Sequence, residues 1–316
     1  MPFFTSLQLL AALVSAGATS VSAHSFVSNI NIDGRSYQGF RPLPGYQNPP
    51  PPDGLTSYQS PDIICHRGGA NGHGHAPVKA GGQIHVQWNG WPQNHRGPVL
   101  DYLADCGASG CETVDKTKLN FFKISQAGLV TPATKQKDGS GSGPPPSFGY
   151  WASDQLIANN NSWVVEIPPR IKPGFYVLRT EIIALHNASY SDGAQNYPQC
   201  FNLEVQGAGG TEVPVGTPGE NLYRASDPGV QLNISTGVQN YPIPGPTLIS
   251  DAVTASLSHP VPTASGTPIT VDELARVTPA PGDSVIATTT QAVVANGVKG
   301  HSRDVGRRWY HQGQGF

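Results

Sequence analysis

Apolar residues in this chain come in short runs: Ser25–Ile32, Gln83–Trp88, Phe121–Ile124, Trp163–Ile167, Phe175–Leu185 and Phe201–Val205. Clusters of glycine, proline and asparagine separate them. The 37 Gly and 30 Pro make about a fifth of the 316 residues, well above ordinary usage, which disfavours long uninterrupted helices. The runs themselves are rich in Val, Ile, Phe and Tyr, which suit a pleated, half-buried surface. The pattern predicts an all-β chain, an antiparallel β-sandwich of the immunoglobulin-like or fibronectin-like kind with long loops.

One run, Phe175–Leu185, is apolar on nearly both parities and reads as a central strand covered on both faces. A buried helix is its rival, but the preceding Pro173-Gly174 and the β-branched content favour a strand. Between strands lie punctuated loops, notably Arg41 to Gly54 with six prolines, stiffened towards polyproline II. Such loops on a rigid sandwich are where binding residues usually sit.

Charge narrows the partners. Only 13 % of residues are charged, 19 basic against 21 acidic, so no electrostatic footprint for nucleic acid is present. The long apolar stretch at the N-terminus, Leu7 to Val14, is too short to span a bilayer and precedes small residues, so it reads as a secretory signal peptide rather than a membrane anchor. Two small-x-small cleavage sites compete, Ala16-Gly17-Ala18 and Val21-Ser22-Ala23; the second makes His24 the first residue of the mature chain.

The expected organisation is a signal peptide over 1–23, a folded β domain over 24–246 and a tail over 247–316. The tail is dominated by Thr, Ala, Ser, Pro, Val and Gly, lacks cysteine and sustained apolar periodicity, and reads as disordered, with no carbohydrate-binding module. In a secreted, extracellular chain the four cysteines suit two disulfides with three connectivities; Cys106–Cys111 with Cys65–Cys200 is preferred. Spacings of 41, 5 and 89 residues contain no C-x-x-C pair and speak against thiolate-bound zinc. Asn160, Asn187 and Asn233 open glycosylation triplets.

A histidine at the first position owns two nitrogens that can close a chelate on one metal ion, its α-amine and its ring Nδ1. The α-amine has a reference pKa near 8, so giving up its proton to a metal costs little near neutrality. An imidazole from elsewhere completes three nitrogens, a set that suits copper. The loop Cys65 to His75, with His66, His73 and His75, is a further histidine-rich stretch and reads as a solvated, Gly-rich loop.

The order Ala23-His24, Gly81-Gly82-Gln83-Ile84-His85-Val86-Gln87-Trp88, His95-Arg96-Gly97-Pro98-Val99-Leu100-Asp101-Tyr102-Leu103, Arg179-Thr180-Glu181-Ile182-Ile183-Ala184-Leu185-His186 and Gln195-Asn196-Tyr197-Pro198-Gln199-Cys200 resembles the fungal lytic polysaccharide monooxygenases of auxiliary activity family 9. The resemblance extends to Tyr241-Pro242-Ile243-Pro244-Gly245-Pro246. It implies that His24 and His95 hold one copper ion as a histidine brace, with Tyr197 as the axial tyrosine and His186 and Gln195 as outer hydrogen-bonding groups. The preferred disulfide pairing is implied too. So is oxidative cleavage of β-1,4-glucan, cellulose and possible hemicelluloses, by a monomer that uses an external electron donor and O2 or H2O2.

Tyr241 and Tyr46 are candidates for stacking on sugar rings, and a glycan on Asn187 would stand beside His186. Two other functions compete. A glycoside hydrolase needs a pair of carboxylates flanking a bond, for which Glu166, Glu181 and Glu204 are the strand-borne candidates. A non-catalytic copper- or polysaccharide-binding protein could use the same scaffold.

Overall fold

The computed structural model describes residues 25–42, 54–133 and 148–253. His24, Tyr46, the signal-peptide segment and the tail beyond residue 253 lie outside the described residues. In chain order the strands are β1 (Val27–Ile32), β2 (Arg35–Tyr37), β3 (Arg41–Pro42), β4 (Gly69–Ala70), β5 (Ala76–Lys79), β6 (Gln83–Trp88), β7 (Val99–Asp105), β8 (Asn120–Ala127), β9 (Leu129–Thr131), β10 (Tyr150–Trp151), β11 (Ser162–Glu166), β12 (Gly174–Ala184), β13 (Gln195–Gln206) and β14 (Thr217–Pro218). Two short helices interrupt them, α1 (Asp62–Cys65) and α2 (Ala152–Ala158).

Among the described residues, one main sheet has the order β11-β6-β1-β2 and the other β14-β8-β7-β12-β13-β5. Neighbours within them run antiparallel, except that edge strand β5 lies parallel to β13. The chain is therefore the β-sandwich its sequence pattern predicts. Pro77 sits in edge strand β5, where a missing N–H costs least.

Side chains alternate across a strand, so the residues of β12 divide between two apolar layers. Tyr176, Leu178 and Ile182 belong to the cluster between the sheets, with Ile30, Val86, Trp88, Trp163, Phe122 and Phe201. Val177 and Ile183 face the other way, into a second cluster with Ile63, Ile64, Leu100, Tyr102 and Phe121 beneath the loops. This second layer explains why the run is apolar on both parities. Each aliphatic or aromatic side chain so buried contributes roughly 1.5–3 kcal/mol.

Two bridges form, the preferred pairing: Cys65–Cys200 ties α1 to β13, and Cys106–Cys111 closes a short loop after β7. The packed chain continues past Pro246: Ile249 N–H donates to the Lys123 carbonyl at 3.1 Å, and Arg170 pairs with Asp251. Beneath that segment the buried Lys123 Nζ donates to the Pro244 carbonyl at 2.7 Å and to Gln126 Oε1 at 2.9 Å. Burial pulls its pKa down to about 8.

The loop Cys65 to His75 departs from the solvated stretch expected. His66 is buried, and His75 accepts a hydrogen bond at Nε2 from the Cys111 N–H at 2.8 Å while its Nδ1 meets Glu112 at 3.3 Å. His73 is exposed. The loop packs because Asn71 donates to the Cys111 and Val114 carbonyls at 2.8 and 2.6 Å, tying it to the short disulfide loop.

In the sandwich interior, Asp101 of β7 lies opposite Thr180 of β12 and Ser125 of β8, and its Oδ2 accepts from Trp163 Nε1 across the core at 3.2 Å. Burial pushes its carboxyl up to about 7, against the lowering effect of neighbouring hydrogen-bond donors. A folded-state pKa above the unfolded one means that the folded chain keeps this proton longer. Its contribution to stability is therefore present at acid pH and lost as pH rises from about 4 to about 7. Asp101→Asn is expected to melt higher than wild type at pH 7, by the equivalent of roughly a few kcal/mol, with the gap closing towards pH 4. Thermal melts of both proteins across that interval check it; a gap independent of pH would contradict it.

Candidate metal centre

Strand β6 ends at Trp88, and the loop that follows carries the first imidazole. Asn89 anchors the loop to the start of the described chain: its Oδ1 accepts from Ser25 Oγ at 2.8 Å and from the Phe26 N–H at 2.9 Å. Further along, the His95 N–H donates to the Pro92 carbonyl at 3.0 Å, and Trp91 Nε1 donates to the His95 carbonyl at 2.8 Å. His95 Nδ1 lies 2.9 Å from Asn94 Oδ1, which can only accept, so this nitrogen carries the proton and Nε2 carries the lone pair. His95 is buried, so its ring orientation is set by packing as well as by this bond.

The second imidazole arrives from the end of β12. The Leu185 N–H donates to the Arg96 carbonyl at 2.8 Å and the Ile183 N–H to the Pro98 carbonyl at 3.2 Å. This zipper lays the His95 loop along the strand that precedes His186. It requires a glycine at position 97, because a Cβ there would stand 1.8 Å from the Ile183 carbonyl oxygen. The outcome is a pair of rings, His95 and His186, with centroids 4.0 Å apart and planes tilted by 36°. His186 is half-buried, its Nδ1 has no hydrogen-bond partner, and burial lowers its pKa, so the ring is held neutral.

The hairpin partner β13 supplies the rest. Its register places Gln195 opposite Ala184 and Tyr197 opposite Ile182. A spacing of two puts both side chains on one face, and the Tyr197 hydroxyl donates to Gln195 Oε1 at 3.0 Å. The buried Tyr197 ring meets Trp91 edge-on at 4.9 Å, and Trp91 in turn meets His95 edge-on at 6.2 Å. His95, His186, Gln195 and Tyr197, four residues spread over 103 positions of sequence, are thereby brought to one end of the sandwich.

Trp91, Asn94 and Asn89 escaped the sequence reading, although each lies within six residues of His95. Tyr190, on the turn between β12 and β13, escaped it too and is 71 % exposed. Tyr241 is not an open platform: its ring packs edge-on against Trp151 at 4.8 Å and its hydroxyl donates to the Gly229 carbonyl at 2.6 Å. It is half-buried, with both ring and hydroxyl engaged by the protein itself.

The donor set can be tested against a metal. Among the described residues no third His, Cys, Asp or Glu joins the imidazole pair to complete a cluster. What is present is a buried imidazole with its tautomer assigned, a second neutral imidazole with an orphaned nitrogen, and a phenol. Of these, the His95 nitrogen and the Tyr197 phenol are neutral donors of the kind that would fit a copper ion, with His186 beside them. The hydrolase reading fares worse: Glu181 is fully buried against Arg179, while Glu166 and Glu204 lie on different sheets.

The cluster lies at one end of a β-sandwich, and comparison with known proteins shows the family to which such a chain belongs. The family model for Auxiliary Activity family 9 (formerly GH61) matches residues 24–241. AA9 family lytic polysaccharide monooxygenase A of Thermoascus aurantiacus is 50 % identical over 240 residues, covering 71 % of this chain and 99 % of its relative. AA9 family lytic polysaccharide monooxygenase D of Podospora anserina is 47 % identical over 304 residues, covering 92 % and 82 %. The extended catalytic domain of LPMO9A from Hypocrea jecorina superposes with a TM-score of 0.65 at 46 % identity, over 77 % of this chain and 97 % of that one. The chain belongs to Auxiliary Activity family 9, and is accordingly a polysaccharide monooxygenase, an oxidoreductase.

Gly97→Ala tests the zipper that unites the two imidazoles. Overpacking of this kind typically costs 1–3 kcal/mol, and backbone as the obstacle puts the cost at about the upper end or beyond. A lowered melting temperature together with a changed near-ultraviolet dichroism of Trp91 is the expected result.

Proposed function

We propose that this chain is a secreted, extracellular copper enzyme that oxidatively cleaves β-1,4-glucan, with cellulose as its main substrate and hemicellulose as a further one. The observation that carries the reading is the convergence of His95, His186, Gln195 and Tyr197 at one end of the sandwich. In this reading His24 would hold the copper through its α-amine and ring nitrogen and His95 through Nε2, with the Tyr197 hydroxyl beside them. What copper supplies when bound is one-electron exchange with an external donor and activation of O2 or H2O2 towards a C–H bond at the glycosidic linkage.

The chain's own residues do the positioning. Asn94 holds the His95 ring in the tautomer whose Nε2 can act as a ligand. Gln195 accepts from the Tyr197 hydroxyl, which fixes the phenol and leaves the amide N–H groups of Gln195 as the donors beside it. His186, neutral through burial, offers a lone pair on one nitrogen and a proton on the other, so it can hold or deliver a proton next to His95. Three surface grooves of about 390 to 460 Å³ are lined by none of these four residues.

Asn160, Asn187 and Asn233 are all exposed, as glycosylation acceptors must be. The domain division proposed is a signal peptide over 1–23, a monooxygenase domain from 24 to the Pro246 region and a separate tail, acting as a monomer.

Copper binding and product analysis test the proposal together. Asn94→Ala is expected to weaken Cu(II) affinity by about 10- to 100-fold in calorimetry while leaving the melting temperature of the metal-free protein near wild type. His95→Ala is expected to reduce release of lactones, aldonic acids or 4-keto sugars from cellulose, with reductant present, to background. Plain reducing ends made without reductant would point to hydrolysis, and copper binding with no oxidised product to a non-catalytic binder.

A further inference from the structure

Two asparagines among the described residues are followed directly by glycine, in Asn71-Gly72 and Asn89-Gly90. In such a pair the next backbone nitrogen can reach the carboxamide carbon and close a five-membered ring, because glycine puts no side chain in the way. The two pairs differ in what holds them. Asn71 is anchored through the nitrogen that would have to leave: its Nδ2 donates to the Cys111 and Val114 carbonyls at 2.8 and 2.6 Å. Gly72 is buried, and its carbonyl accepts from Asn202 Nδ2 at 3.0 Å.

Asn89 is held the other way round. Its Oδ1 takes two donors, Ser25 Oγ at 2.8 Å and the Phe26 N–H at 2.9 Å. Paired donors at such distances polarise a carbonyl and stabilise the negative charge that its oxygen gains when a nucleophile adds, as in an oxyanion hole. The leaving side is unhindered. Asn89 is exposed, and among the described residues no hydrogen bond holds its Nδ2 or the Gly90 N–H. Gly90 has a φ of 140°, and a Cβ there would meet nothing within 4 Å, so the main chain has room to turn towards the carboxamide.

We propose that Asn89 is a site of spontaneous modification that unpins the segment following His24. The Gly90 nitrogen gives up its proton to hydroxide and attacks Cγ. The N–Cγ bond forms, the Cγ–Nδ2 bond breaks, and Nδ2 takes a proton from water and leaves as ammonia. Water then opens the cyclic imide at either carbonyl, giving aspartate or isoaspartate. One water is consumed and one ammonia released, so the step needs no oxidant or reductant.

Isoaspartate carries the main chain through Cβ and adds one backbone atom between positions 89 and 90. The loop is fixed on both sides of that bond: the Asn89 N–H donates to the Phe26 carbonyl at 3.1 Å, and the Trp91 N–H to Asn161 Oδ1 at 2.8 Å. The carbonyl that received Ser25 and Phe26 also becomes part of the main chain. Phe26 is two residues after His24, and Trp91 holds the His95 carbonyl, so both sides of the proposed copper site lose support. That last consequence rests on the copper reading above, whereas the modification itself does not.

The whole mature chain is held for days at mildly alkaline pH, where more of the Gly90 amide is ionised, and then digested for mass mapping. Conversion of amide to acid is expected at Asn89, as aspartate and isoaspartate together, about tenfold faster than at Asn71. Ser25→Ala removes one of the two donors and is expected to slow conversion at Asn89 by about the same factor, leaving Asn71 unchanged. In the aged protein, amide hydrogen exchange at Phe26 is expected to speed up and Cu(II) affinity to fall by about tenfold. Freshly prepared Asn89→Asp brings the new charge without the extra atom. Its carboxylate can still accept from Ser25 and Phe26, so both readouts are expected near wild type.

Absence of conversion at Asn89, or equal conversion in the two pairs, overturns the site. Faster conversion in Ser25→Ala overturns the activating role of the donors, and conversion that leaves exchange at Phe26 unchanged overturns the unpinning. Failure of the two readings is separable. Fresh protein that binds no copper sinks the copper reading, whereas the modification is decided by mass and exchange alone.

Discussion

A fully buried ion pair, Arg179 with Glu181, holds the loop layer to the sheet. Neither side chain is exposed, and the guanidinium grips both carboxylate oxygens at 2.7 and 2.9 Å. Burial by itself would lower the pKa of Arg179, but Glu181 more than reverses that and keeps the charge in place. Arg179 also donates to the carbonyls of Ile64 and Ile63 at 2.9 and 2.8 Å, while Glu181 accepts from Asn196 at 2.8 Å and from the Tyr223 hydroxyl. Burying two charges is expensive, and a pair of this kind is retained only when its remaining donors and acceptors are satisfied. Here they are met by α1, β13 and the loop of Tyr223, so the same interaction that neutralises the charges joins three parts of the chain.

That junction stands directly behind the site. Asn196, which donates to Glu181, sits between Gln195 and Tyr197, and the helix whose carbonyls Arg179 holds ends at Cys65, the partner of Cys200. β13 is thereby fixed from one side by side-chain hydrogen bonds and a disulfide, and from the other by the long register with β12. A hairpin so constrained cannot slip by one residue without turning Tyr197 to the opposite face, which makes the geometry of Tyr197 and Gln195 a property of the sheet rather than of a loop. His95 is held differently, by the backbone zipper to β12 and by Trp91. His95 on its loop is thus positioned by the same strand that leads to His186 and pairs with the strand of Gln195 and Tyr197.

Much of this could be read from residue order. The runs at Gln83–Trp88, Trp163–Ile167 and Phe175–Leu185 announced β6, β11 and β12 through their β-branched and aromatic content between turn-forming residues. β13 was legible only from Phe201, since Gln195 to Cys200 carries Pro198 and polar side chains that give no alternating signal; its pairing with β12 comes from Asn196 and Cys200 finding partners far away. The short helices α1 and α2 gave no sign either. His95, His186, Gln195 and Tyr197 were recognisable as a family pattern, whereas Asn94, Trp91 and Asn89 were not, because hydrogen bonds made by a loop leave no periodicity.

What the sequence determined by itself is the material: punctuated β-forming runs, two cysteine pairs, neutral surface chemistry and a set of imidazoles and phenols in a recognisable order. Tertiary structure alone decided that Tyr241 is tied down rather than open, that Glu181 is a structural charge and not a catalytic acid, and that the Asn89 carboxamide oxygen receives Ser25 and Phe26. The physical reason is common to all three. Burial and hydrogen-bond partnership depend on which distant segments arrive at a residue, and a linear pattern records a residue's neighbours along the chain but not those across space.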